Sequence, residues 1–164
     1  MGGKAAELYE EDFYAWTQDQ AAVLRAKFRG HNRLDVENLA EEVEGLGRAE
    51  LNAVESYVEQ IIAHLLKLDF SGLSEPRDHW RREIEAFRMS LRRRITPSIR
   101  RRIEDSLPEL YRNAVWLAAR RLGQTEPDFA ERPPEVCPYS LGMIEGSEPP
   151  RFPDLAGHGG VGGP

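Results

Sequence analysis

Cysteine is nearly missing from this chain. Cys137 is the only one in 164 residues, which excludes an internal disulfide and any metal site built from several thiolates. That usage fits a reducing compartment, and a cytoplasmic location is expected. No apolar run approaches the ~18 residues of a membrane span, so no membrane partner is expected. The opening Met1-Gly-Gly-Lys-Ala-Ala has no apolar signal core and reads as a frayed end. Catalytic signatures are missing too. There is no Gly-x-Ser-x-Gly elbow and no phosphate-binding Gly-Lys-Ser/Thr loop, and the glycines of the tail read as linker rather than ligand loop. Neither His-Glu-x-x-His nor Glu-x-x-His occurs, which weakens a metal-hydrolase or di-metal reading. Cys137 sits beside Pro138 in a proline-rich stretch, a poor setting for a nucleophile. No cofactor is expected, and a non-enzymatic role is favoured.

What is present is helical periodicity. Leu39, Val43, Leu46, Val54, Val58, Ile61, Leu65 and Leu68 recur every three or four residues. They predict one long helix over 34–69, or two collinear ones joined near Gly45 and Gly47, with Asp35 as N-cap. A first helix is predicted from Glu10 to about Phe28, ended by Gly30-His31-Asn32. A third, from about His79 to Ile95, carries the stripe Trp80, Ile84, Phe87, Leu91 and Ile95. Thr96-Pro97 reads as a cap with proline at the first helical position. A short helix should follow, and Ser106-Leu-Pro-Glu109 reads as a capping box opening a last helix that stops at Gly123. Trp16, Ile61, Leu65, Trp80, Phe87 and Leu117 are the expected core.

Proline and glycine are scarce up to residue 123 and dense after it. The 41 residues from Gln124 hold eight of eleven prolines and seven of fourteen glycines. Such a composition argues against helices or a core there. Val136 to Ile144 reads as a short extended segment. Phe129, Tyr139, Leu141, Met143, Ile144 and Phe152 are candidate anchors onto the bundle or a neighbouring subunit. The expected architecture is therefore an all-α bundle of about five helices over 8–123, with an irregular Pro/Gly-rich arm over 124–164.

The charge is strongly segregated. Net charge is −6, yet residues 35–59 carry eight acids and one Arg, while residues 76–102 carry ten Arg and three acids. Blocks of −7 and +7 in one small chain are expected to face each other at least in part. Glu50, Tyr57 and His64 stand seven apart and so share the apolar side of the long helix. They are either a hydrogen-bonded polar patch or, with a third-helix residue such as Arg88, a working pocket. Glu41, Glu42 and Glu44 form a candidate acidic motif. With His64, His31 and His79 they are of the donor type that suits manganese, iron or zinc, although their spacing assigns no metal site. Arg92, Arg93, Arg94, Arg100, Arg101 and Arg102 form a candidate basic face for phosphate, although the acidic total argues against nucleic acid.

Several motifs resemble one family. Leu8-Tyr-Glu-Glu-Asp-Phe-Tyr-Ala-Trp16, Leu34-Asp-Val-Glu-Asn-Leu-Ala-Glu-Glu-Val-Glu-Gly-Leu-Gly47 and His64-Leu-Leu-Lys67 occur in order, followed by Trp80 with Ile84, Arg88, Pro97-Ser98, and Tyr111 with Ala114. Together they resemble the bacterial family called domain of unknown function 29, over roughly Leu8 to Leu122, with the arm outside the match. The family often has Ser where this chain has His79. The resemblance implies an all-helical bacterial protein and no activity or substrate. It marks Glu41, Glu42, Glu44, Gly47, His64, Lys67, Trp80 and Arg88 as motif positions. Three functions stand open: a protein-interaction or regulatory module, acting on a protein partner or by self-association; a metal-dependent enzyme using the acids and His64; and nucleic-acid binding through residues 81–102. The first is favoured.

Overall fold

The computed structural model describes residues 3–30 and 33–149. His31, Asn32 and the tail from Pro150 onward, with Phe152, lie outside the described residues. Among those described there are six α-helices, a 3-10 turn and no strand. They are α1 (Lys4–Glu11), α2 (Phe13–Lys27), α3 (Val36–Phe70), α4 (Arg77–Arg92), α5 (Pro97–Leu122) and α6 (Leu141–Glu145), with the 3-10 turn Phe129–Glu131 between the last two. The all-α class is borne out.

The count of helices departs from five for three local reasons. Asp12, at φ −148° and ψ 80°, leaves helical geometry, so the helix expected from Glu10 starts at Phe13 as α2, and a separate α1 forms over Lys4–Glu11, where the opening residues were expected to be frayed. The expected start at Ser106 does not occur, because α5 continues through Pro108. An internal proline deletes one backbone hydrogen bond. Burial of Leu110, Tyr111, Ala114, Ala118 and Leu122 along the following turns outweighs that loss. The third departure is α6, where Val136 to Ile144 was expected to be extended. Ser140 Oγ accepts from Met143 N at 3.1 Å, and Gly146 closes the turn at φ +82°, a value favouring glycine. A cap at each end makes a helix where bulk composition argued for none. Elsewhere the capping signals hold. Asp35 accepts from Asn38 N at 3.3 Å, Thr96 Oγ1 accepts from Ile99 N at 3.4 Å, and α5 ends just before Gly123.

The described chain divides into two compact units, one within Met1–Glu55 and Arg94–Glu104, the other within Ser56–Arg93 and Asp105–Pro164. In the first, α2 and the opening half of α3 approach closely through small residues. Thr17, Ala21, Ala40 and Gly47 are all buried. A Cβ on Gly47 would lie 2.1 Å from Thr17 Oγ1, so glycine is required by contact alone. The Asp12 carboxylate gathers this unit. It accepts from Ala15 N at 3.0 Å, capping α2, and from Ser98 N at 2.8 Å, capping α5. The hydroxyls of Thr96 and Ser98 donate to it as well. Trp16, expected in the core, is only half-buried, because it shares an aromatic cluster with Tyr9 and Phe13 at the α1–α2 joint.

In the second unit every residue from Ile61 to Lys67 is buried, so α3 has no solvent side there. Ile61, Leu65 and Trp80 are core as expected, whereas Phe87 and Leu117 are half-buried. The segment after Gly123 adds to this core with Phe129, Tyr139, Leu141, Met143 and Ile144, the first and last fully enclosed. Glu126 ties it to the end of α3, accepting from Ser71 Oγ and from Gly72 N at 2.8 Å. Tyr139 OH donates to Asp69 at 2.7 Å, and Tyr111 OH to Pro134 O at 2.6 Å.

Asp12→Ala should destabilise the protein by about 2–4 kcal/mol, the sum of two caps and stranded hydroxyls, read by urea unfolding. Burial pushes the Asp12 pKa up, but the bonds from Ser98, Ala15 and Thr96 together bring it below its ordinary value. The carboxylate's contribution is therefore full above the unfolded value of about 3.9 and is lost as pH falls through the lower folded value. The gap between wild type and variant should shrink over that acid window; a gap independent of pH would remove the carboxylate from this role. Gly47→Ala should cost about 1–3 kcal/mol by overpacking. Adding Thr17→Ala should return part of it in a double-mutant cycle.

Candidate functional site

Two of the polar residues buried in the second unit, His64 and Lys67, lie on the last turns of α3. His64 is 3% exposed and Lys67 is 4% exposed, and three residues of helix put them on neighbouring faces of one turn. His64 Nδ1 lies 2.7 Å from Gln60 O, and a carbonyl only accepts, so the ring proton sits on Nδ1. The neutral ring then presents Nε2 as an acceptor. Phe87 of α4 packs 5.9 Å from the imidazole, and Tyr57 lies 6.3 Å from the same Phe87 ring. The Lys67 ammonium rests 5.0 Å over the ring of Trp80, a cation–π contact.

Burial lowers the His64 pKa to about 4; the Gln60 carbonyl opposes this, and Lys67 and Arg121 reinforce it. The Lys67 pKa falls to about 8, again chiefly from burial, with Arg121 adding to the fall and Glu83 opposing it. His64 is thus neutral near pH 7, while Lys67 is largely charged in an environment that disfavours charge.

The other residues singled out in the sequence are placed differently. Glu50 is held by Arg94, whose Nη1 donates to both carboxylate oxygens at 3.0 and 2.8 Å. That ion pair joins the acidic and basic blocks. Arg88 is spent on α6: Nε donates to Ile144 O at 3.0 Å, Nη2 to Met143 O at 2.6 Å, and Nη1 to Glu85 at 2.7 Å. It satisfies carbonyls at the end of a five-residue helix and packs against Gly146.

The acidic motif is divided. Glu44 is clamped by Arg25 through both oxygens, and Arg25 also reaches Glu37 at 3.3 Å. The Arg25 contact lowers the Glu44 pKa despite burial. Glu41 and Glu42 are exposed, with no ion-pair partner among the described residues. Because α3 is continuous from Val36 to Phe70, no fold-back at Gly45-Leu46-Gly47 brings the motif to His64. No cluster of three His, Cys, Asp or Glu side chains suited to a metal exists among the described residues. On the basic face Arg92, Arg93, Arg94, Arg100, Arg101 and Arg102 are exposed, and Arg92 approaches Glu85 at 4.0 Å. None of the described helices is long and apolar enough to cross a membrane.

The sequence grouped His64 with Glu50 and Tyr57 as either a polar patch or, with Arg88, a pocket, and left Lys67, Glu83 and Arg121 out of that group. One signal was available: Lys67 follows His64 by three within a run that is otherwise apolar. A cleft of about 360 Å³ opens beside the end of α3, bordered by Asp69, Ser71, Ser74, Arg77 and Arg132. Arg132 there is engaged by Glu126 and Asp128.

Comparison with known proteins agrees with the fold. A crystal structure, at 1.45 Å resolution, of an alpha-helical protein of unknown function from Rhodospirillum rubrum is similar, with a TM-score of 0.69 and 29% identity. The match covers 84% of this chain and 88% of that one. Comparison with curated proteins gives no match. A family model, Domain of unknown function DUF29, matches residues 8–145. The resemblance was expected to stop near Leu122 with the arm outside; it extends to Glu145, through the segment whose side chains complete the second unit's core. Spanning most of its length, the match means that the chain belongs to the family described as Domain of unknown function DUF29.

Proposed function

We propose that the protein is a protein-interaction module that holds a basic amphipathic segment of a partner protein against the first half of α3. The observation that supports this is the pair Leu39 and Leu46. They are 44% and 55% exposed and stand seven residues apart, so they share one side of the helix. Glu42 lies between them, one turn from each, exposed and without an ion-pair partner among the described residues. Leu34, at the foot of the helix, is exposed as well. An apolar strip edged by free carboxylate suits a helix that carries apolar residues one or two turns apart and Lys or Arg beside them. Charge complementarity selects a basic occupant: Arg25 and Arg94 answer Glu44, Glu37 and Glu50, but nothing among the described residues answers Glu41 or Glu42.

The test is affinity purification of the tagged protein from its own host, with and without nuclease, comparing wild type with Leu46→Asp and Glu42→Arg. Both positions are exposed, so both variants should keep the wild-type circular dichroism and melting behaviour. A stoichiometric protein partner should survive nuclease and fall at least about tenfold in recovery with either variant. A partner lost on nuclease treatment would transfer the role to the arginine face. Recovery unchanged in both variants, or no partner at all, would overturn the proposal.

A further inference from the structure

We propose that His64 and Lys67 form a binding site for the oxyanion group, carboxylate or phosphoryl, of a small ligand, with the Lys67 ammonium as its counter-charge. The argument starts from an unbalanced cation. Lys67 is almost wholly enclosed, and among the described residues its ammonium makes no hydrogen bond or ion pair. Its contact is the face of Trp80. A cation–π contact is worth about 0.5–2 kcal/mol, whereas taking an ammonium out of water costs several. A buried charge is ordinarily paired, and Glu83, the carboxylate that acts on Lys67, makes no ion pair with it.

His64 supplies the second half of the site. Its Nδ1–H is committed to the Gln60 carbonyl, which leaves Nε2 without a partner among the described residues. Neutral, Nε2 accepts; once protonated, it donates. An oxyanion beside Lys67 would draw a proton onto Nε2 and gain a second charged donor. The other charged groups acting on the pair are Arg121 of α5 and Glu83 of α4. Arg121 is exposed and meets solvent, so Lys67 is the enclosed cation of the group. The same pair would suit either a carboxylate or a phosphoryl group, and shape distinguishes the two.

The experiment is a pH titration of the His64 ring by NMR in the full chain, at constant ionic strength, in chloride, sulfate or trifluoroacetate. Sulfate and trifluoroacetate stay ionised throughout, and they probe the tetrahedral and the planar oxyanion. In chloride the ring should titrate at about 4. A matching oxyanion should raise that by at least about one unit, and Lys67→Met should abolish the rise. A rise with sulfate alone assigns a phosphoryl ligand, and with trifluoroacetate alone a carboxylate. A ring that stays at about 4 in both salts, or an equal rise in Lys67→Met, overturns the proposal.

A second measurement guards against a variant that merely misfolds. The Lys67 pKa is about 8 in the folded state against 10.5 ordinarily. The folded state therefore bears the full penalty of the charge below pH 8 and is relieved of it as pH rises towards 10.5. Wild type should gain stability across that window, and Lys67→Met should not. At pH 7 the variant should match or exceed wild type in stability, as expected where a ligand-binding group is kept at a cost to the fold. A variant less stable than wild type at pH 7 makes Lys67 a structural residue and overturns the proposal.

Discussion

Burial on every side of α3 between Ile61 and Lys67 is the constraint that gives the second unit its character. An amphipathic helix normally leaves its polar residues a solvent side. Here seven consecutive residues are buried, so any polar group among them meets mostly protein. His64 responds by giving Nδ1–H to the carbonyl one turn below and staying neutral. Lys67 cannot neutralise as easily, and its ammonium lies on the quadrupole of Trp80 instead. The packing that encloses the helix and the electrostatics of the pair are one fact seen from two sides. The rings of Trp80 and Phe87 on α4 lie against the pair, and this enclosure is what makes the charge expensive.

Carboxylates elsewhere do the opposite work, tying chain ends together. Asp12 accepts from backbone amides at the start of two helices, and so fixes the joint between α1 and α2 and the entry to α5 with a single side chain. Glu126 does the same for the end of α3 and the segment after α5, with Arg132 as its ionic partner. In both cases burial acts against the ionised form, yet the pKa ends below its ordinary value because the hydrogen bonds to the charge outweigh it. The contrast with Lys67 is instructive: these anions are enclosed together with their donors, whereas that cation is enclosed without an acceptor.

How far the sequence could be read follows from which forces are local. Periodicity located α3 and α4 to within a few residues, and Asp35, Thr96 and Gly123 marked helix ends, because capping depends on residues one turn apart. The break at Asp12 escaped notice because its cause is distant: Thr96 and Ser98 lie more than eighty positions along the chain. Continuation of α5 through Pro108 likewise rests on burial that no local propensity contains. The segment after Gly123 was misread because composition averages over the positions that matter. A few large apolar side chains, two caps and one carboxylate order it, whatever its glycine and proline content. For the candidate site, the heptad spacing correctly put His64 on the buried side of α3 but said nothing of which groups meet it. Arg94 claims Glu50 and α6 claims Arg88. Lys67 becomes its companion only once both sides of the helix are known to be covered.

The family motif can be divided on this basis into parts that the fold consumes and parts that it leaves over. Gly47 is consumed by contact with Thr17, Glu44 by Arg25, and Arg88 by the carbonyls of α6. Glu42 and Glu41 are left in solvent, and Lys67 is left in the core without an anion. Groups of the first kind are explained by stability alone. Those of the second contribute little to stability or detract from it, and an unmatched buried ammonium detracts most. Lys67 is thus the motif position at which the fold encloses a charge against an aromatic face rather than an acceptor.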